Sequence, residues 1–128
     1  MTHQVVCFGE ILWDCFGESK KAGGAPMNVA LHLHKQGIGS ALISAVGNDE
    51  DGKELLAYLH HNKLNTRFVQ IHPSLPTGIV DVHLDEENQA TYTIVKPVAW
   101  DAIEYTNDIS THTSAADALI FGSLACRE

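Results

Sequence analysis

Three short apolar runs separated by two amphipathic stretches constrain this chain more than any other feature. Val5-Val6-Cys7-Phe8, ended by Gly9, reads as a buried strand, as do Ser40 to Gly47 and Arg67 to Ile71. Between the first two runs a helix is expected from Pro26 to about Gln36. Met27, Ala30, Leu31 and Leu33 recur on one face there, Val29 widens it, and Gly37 ends it. Between the second and third runs, Asn48-Asp49-Glu50-Asp51 offers an N-cap and acidic residues that suit a helix dipole. Leu55, Leu56 and Leu59 form that helix's apolar stripe, which runs to about His61 with Asn62 as a candidate cap. Strand, helix, strand, helix, strand implies parallel pairing with right-handed crossovers.

Other stretches depart from this rhythm. Glu10 to Phe16 is mostly β-favouring but carries two carboxylates, and Gly17 to Lys21 reads as a polar turn. Thr77 to Leu84 and Ala90 to Val95 are β-rich and separated by the polar loop Asp85 to Gln89. Val80, Val82 and Leu84 share one face while Asp81 and His83 share the other, which fits a half-exposed antiparallel hairpin outside the main sheet. Pro97 to Asp101 breaks the pattern, and Ala118 to Gly122 resumes the buried-strand signature.

The chemistry concentrates at Ala22-Gly23-Gly24-Ala25-Pro26-Met27-Asn28. Two adjacent glycines let a ligand approach backbone N–H groups closely, and Pro26 suits a first helical turn. Asn28 sits in that turn with an amide that both donates and accepts. A polar small molecule held at a helix N-terminus is one reading; an ordinary glycine turn capped by a helix is the other. Asp14, between Trp13 and Cys15, either accepts hydrogen bonds from neighbouring polyol hydroxyls or points to solvent from an edge strand. Glu10 could orient a backbone group or a ligand.

Composition removes several classes. In 128 residues, eight Lys plus Arg against sixteen Asp plus Glu give a net charge of −8, which disfavours nucleic acid or an anionic membrane as partner. Cys7, Cys15 and Cys126 are odd in number and form no C-x-x-C, so a reducing cytoplasmic compartment is expected. The N-terminus shows no signal-peptide pattern, and no apolar stretch approaches membrane-spanning length. His32 and His34 are two apart and point in different directions on a helix, and His60-His61 suit a helix C-terminus as cations more than a metal site, so no metal ligand is expected. Gly37-Ile38-Gly39 follows a helix and lacks a third glycine, which argues against a nicotinamide-binding Rossmann enzyme.

Gly9-Glu10-Ile11-Leu12-Trp13-Asp14, the glycine-pair segment to Ala30, and Val46-Gly47-Asn48-Asp49-Glu50-Asp51-Gly52 together resemble the N-terminal portion of the ribokinase-like (pfkB) sugar kinases. Thr77-Gly78, Thr91 to Ile94, Ala99-Trp100-Asp101 and Phe121 to Ala125 look most like the fructokinase branch. The resemblance implies an α/β, doubly wound, mainly parallel sheet with helices on both faces and a small β lid. The expected domain is 1–128, with lid segments near 11–16 and 77–96. It implies ATP-dependent phosphorylation of a sugar hydroxyl with Mg2+. Asp14, Gly23, Gly24 and Asn28 would be the sugar contacts, and the lid would exclude water and could pair two copies into a homodimer. Ribose, ketodeoxygluconate or a nucleoside could replace fructose.

The sequence also departs from that family. Its second signature, Gly-Ala-Gly-Asp, supplies the general base and an anion hole for the transferred phosphoryl group, and neither it nor a P-loop occurs here. The resemblance therefore implies the sugar-side half of a kinase, with the C-terminal half absent and no turnover by the 128-residue chain alone. The competing expectation is a carbohydrate-binding or regulatory remnant without chemistry.

Overall fold

The computed structural model describes residues 3–127; Met1, Thr2 and Glu128, the ends of the expected span, lie outside the described residues. The elements run β1 (Gln4–Phe8), β2 (Leu12–Phe16), β3 (Ser19–Gly23), α1 (Ala25–Lys35), β4 (Gly39–Gly47) and α2 (Glu50–His61). They continue with β5 (Val69–His72), β6 (Gly78–Leu84), β7 (Ala90–Ile94), α3 (Asn107–Ser114) and β8 (Ala118–Phe121).

A body sheet has the order β5-β4-β1-β8, and every pairing in it is parallel. Alternation along its strands sends side chains to two cores. Cys7, Leu42 and Val46 pack with Met27, Ala30 and Leu31 of α1 and Leu55 and Leu59 of α2. Val6, Ala41 and Ile43 pack on the opposite face with Phe68 and with Ile109 of α3. Helices therefore cover both faces, as doubly wound architecture requires. The expected caps form: Asp49 caps α2 by accepting from Gly52 N at 2.8 Å. Gly37 takes a left-handed φ of 80° just past α1.

Gly17 to Lys21 is corrected by the structure. The turn is confined to Gly17 and Glu18, and Ser19 onward forms β3, antiparallel to β2. Its polar residues are tolerated because β3 is an edge strand with three exposed positions, where lysines are favoured. The second sheet has the order β3-β2-β6-β7, with β2 and β6 parallel and β6 and β7 antiparallel as a hairpin. Asp14 is thus on an interior strand, which removes the edge-strand alternative. Val80 and Val82 are buried with Leu12, whereas Leu84 is 62% exposed. The hairpin's alternation therefore stops at Val82.

Two further differences have physical reasons. Helix α3 has one buried residue, Ile109, so no apolar stripe marks it; its one local signal is Thr106, whose hydroxyl accepts from Ile109 N. Strand β8 reads as buried in sequence, yet all four of its residues are exposed. It is the sheet's edge, bonded to β1 on one side, and Leu119 and Phe121 flank an open apolar cavity of about 410 Å³.

Candidate functional site

The junction of β3 and α1 gathers the residues singled out from the sequence. Gly23 ends β3 and Gly24 is the N-cap of α1 with φ of 110°. Gly24 also lies in contact with the Glu10 carbonyl, so a side chain there would be both strained and blocked. A methyl group at Gly23 would come within 2.6 Å of Asp14 Oδ2. The missing side chain at Gly23 is what lets the Asp14 carboxyl lie against the backbone. Asn28 is exposed in the first turn of α1, and its N–H donates to the Gly24 carbonyl at 3.0 Å. Asp14, Gly23, Gly24 and Asn28 therefore surround one helix mouth.

Register explains how Asp14 gets there. Trp13 and Cys15 point toward the α1 and α2 core, and Trp13 Nε1 donates to the Asp51 carbonyl at 3.0 Å. The alternate positions, Leu12 and Asp14, take the other face of the second sheet. Burial pushes the Asp14 pKa up, and Lys21 directly across on β3 pulls it partly back; no hydrogen bond contributes. No acidic residue occupies the first turn of α1, so its own side chains leave the positive end of the helix dipole unmatched. An under-satisfied acceptor beside helix N–H donors suits a ligand that both donates and accepts, as a polyol does.

Two carboxylates that sequence reasoning gave no such role fix where the second sheet leaves the body. Asp49 accepts from Thr77 N at 3.0 Å and Thr77 Oγ1 at 2.6 Å, besides capping α2. Thr77 Oγ1 in turn accepts from Gly47 N at 2.9 Å. Burial opposes ionisation of Asp49, but the bonds from Thr77 and Gly52 outweigh it and hold its pKa below the usual value. At the other root, Asp101 binds Arg127 through both oxygens and accepts from Val98 N, while Arg127 also donates to the Val95 carbonyl. The Arg127 bond, with Val98 helping against burial, lowers the Asp101 pKa. Asp49 carried a visible signal as an N-cap. Its partner Thr77 lies 28 residues away, and Arg127 lies 26 from Asp101, so neither pairing had a local signature.

Other expectations also have their places. His60 Nε2 lies 2.9 Å from Thr66 Oγ1, and His32, His60 and His61 are exposed. Among the described residues no group of three or more His, Cys, Asp or Glu side chains could hold a metal ion. No helix among them is long and apolar enough to cross a membrane.

The family model described as pfkB family carbohydrate kinase matches residues 2–123. The Arabidopsis thaliana protein named probable fructokinase-6, chloroplastic, is 36% identical over 69% of this chain and 26% of its own length. Among solved structures, an uncharacterised sugar kinase of Pyrococcus horikoshii superposes with a TM-score of 0.81 at 30% identity, covering 94% of this chain and 45% of that one. That kinase has also been solved in complex with ATP. A Vibrio cholerae fructokinase double mutant in fructose-, ADP- and potassium-bound form superposes with a TM-score of 0.68 at 29% identity, over 80% of this chain and 35% of that one. The chain thus spans about a quarter to a half of the length of these proteins.

Proposed function

Because the chain belongs to the pfkB family of carbohydrate kinases, we propose that it supplies the sugar-binding side of an ATP-dependent, fructokinase-like sugar kinase. The observation that carries this reading is the Asp14 carboxyl. It is half-buried, raised in pKa by that burial, without a hydrogen bond to satisfy it, and set beside a glycine pair at a helix N-terminus. A carboxylate in that state accepts two hydroxyl hydrogens of a sugar and holds one face of the ring. Gly23 and Gly24 bring the backbone close, and the Asn28 amide reads a further hydroxyl. The second sheet acts as the lid: its β2, β3, β6 and β7 strands exclude water, which would otherwise compete as the phosphoryl acceptor. Exposed Tyr92, Leu84 and Ile94 on the hairpin suit pairing of two lids in a homodimer.

ATP supplies the phosphoryl group that such an enzyme transfers. Mg2+ in such an enzyme is held largely by the nucleotide phosphates and water, and no Gly-Ala-Gly-Asp segment offers a base in this chain. The role assigned to this chain is therefore binding and orientation of the sugar in the cytoplasm, without turnover of its own.

Calorimetry with D-fructose on the 128-residue chain and on Asp14→Ala tests this. Two hydrogen bonds to a charged acceptor are worth about 1.5–3 kcal/mol each, so the variant should bind at least a hundredfold more weakly. A coupled ADP-release assay run on the same chain should show no fructose-dependent rate. Equal affinity in wild type and Asp14→Ala would overturn the assignment of Asp14, and turnover by the isolated chain would overturn the division of labour.

A further inference from the structure

Glu10 is a buried polar side chain that the account above leaves unused. It lies just past the carboxyl end of β1, where the chain crosses from the body sheet to β2, and it is 5% exposed. Its Oε1 is shielded from solvent and has no hydrogen-bond partner. Buried polar atoms are normally paired, because an unmade bond forfeits the hydration the group had in water. An exception at this place in an α/β sheet calls for a reason, since ligands in such sheets bind outside the carboxyl ends of the strands.

The surroundings narrow that reason. A methyl group at Gly122 would sit 2.8 Å from Glu10 Oε1 and 3.1 Å from Pro26 Cγ. The carboxyl therefore lies against Gly122 at the end of β8, a position fixed beside β1 by Gly122 N donating to the Phe8 carbonyl at 3.1 Å. The other close neighbour of Gly122 is the ring of Pro26 at the mouth of α1, which has no N–H to offer. The Glu10 backbone itself touches Gly24 of the glycine pair. An acceptor without a donor thus sits next to the helix mouth that Asp14 and Asn28 also flank.

We infer that Glu10 is a ligand-directed acceptor, taking a hydroxyl hydrogen of the sugar held at Asp14, Gly23, Gly24 and Asn28, and so acts as a further specificity-determining residue. This rests on the sugar-binding reading of that site. A polyol carries enough hydroxyls to serve Asp14 and Glu10 together. A sugar lacking the matching hydroxyl leaves the carboxyl buried and unpaired, which is the strongest form of discrimination a binding site has. A carboxyl kept for a ligand also destabilises the unliganded protein, whereas one kept for the fold stabilises it. The two roles therefore predict opposite signs.

The test uses Glu10→Gln and Glu10→Leu in the 128-residue chain, with Asp14→Ala alongside. Thermal unfolding is followed with and without D-fructose, and affinity is measured by calorimetry. Without sugar, Glu10→Leu should melt above wild type and Glu10→Gln no lower than wild type. Fructose affinity should fall tenfold or more in both, and the sugar-induced rise in Tm should vanish in Glu10→Leu. A Glu10→Gln variant that melts well below wild type without sugar shows a structural carboxyl and overturns the inference. Unchanged affinity in Glu10→Gln, with affinity lost in Asp14→Ala, overturns Glu10 alone and leaves the sugar site standing. A wild-type chain that binds no fructose removes the sugar reading and the role of Glu10 with it.

Discussion

The two sheets of this protein are held in place by different physics. In the body sheet, β4 is buried continuously from Ala41 to Gly47, and cores on both faces lock it between α1, α2 and α3. In the second sheet, β7 is exposed along its whole length, Trp13 and Ala22 reach into the α1 and α2 core, and the sheet's own apolar cluster is only Leu12, Val80 and Val82. What that sheet lacks in buried area it replaces with charged ties at its roots. Asp49 holds Thr77 where β6 begins, and Asp101 with Arg127 holds Val95 and Val98 where β7 ends. Apolar burial involves no titrating group, whereas carboxylate ties depend on ionisation.

The largest effect should come from the body. Leu42 on β4 is fully buried against the α1 and α2 layer. Leu42→Ala removes packing and leaves a cavity, at a cost of about 2–5 kcal/mol. Urea unfolding followed by circular dichroism should show the midpoint fall with the slope retained, and the second sheet should lose its structure in the same transition. A second sheet that survives after the body melts would break the comparison, since it would then have a core of its own.

Asp49→Ala should act on the second sheet first. It strips the cap from α2 and leaves the N–H and hydroxyl of Thr77 without their acceptor, although Thr77 is 1% exposed. Losing a cap and orphaning buried donors costs about 2–3 kcal/mol. Amide exchange should accelerate across Gly78–Leu84 more than across β4. Acid should mimic the substitution: Asp49 and Asp101 have folded pKa values below the ordinary carboxyl value, so their contribution is complete above about pH 4–5 and is lost as pH falls through the lower folded values. Asp14 has the opposite sign. Its raised pKa means that its ionisation costs stability as pH rises. Uniform acceleration in both sheets at pH 3 would show that the roots are not separate weak points.

How much of this was legible in the sequence follows the same division. The body strands and both large helices could be read because burial imposes period and composition on them: Ala41 to Val46 is nearly all apolar, and Leu55 and Leu59 recur on one helix face. The junction of β3 and α1 was legible because a glycine pair, a proline and an asparagine are local. β3 was not, since Ser19-Lys20-Lys21 has no strand composition and becomes a strand through pairing with β2. Ala118 to Phe121 keeps the composition of a buried strand, and among the described residues no strand or helix covers its outer side. The root ties lay beyond reach for a further reason: Asp49 meets Thr77, and Asp101 meets Arg127, only once the fold has brought distant segments together.

The smallest effect should come from Lys20 on the edge strand β3, an exposed tie to the same first turn of α2 that Asp49 caps. Its ammonium binds Asp51 at 3.0 Å and Glu54 on α2, and lies 4.6 Å from the centre of the Trp13 ring. Hydrogen bonds that it donates to Glu54 and then Asp51 raise its pKa, so it stays charged through the neutral range. Yet the Lys20 side chain is about a third exposed and its partners somewhat more, so water and salt screen the attraction. Lys20→Met keeps an unbranched stem over Trp13 and removes only the charge. The unfolding midpoint should barely move, and any difference from wild type should vanish at about 1 M salt, where the screening length is near 3 Å. Exchange should quicken in β3 and leave β6 and β7 unchanged, because Thr77 and Val95 remain held. A midpoint lowered as far as by Asp49→Ala, and insensitive to salt, would move the anchor of the second sheet from its buried roots to its exposed edge strand.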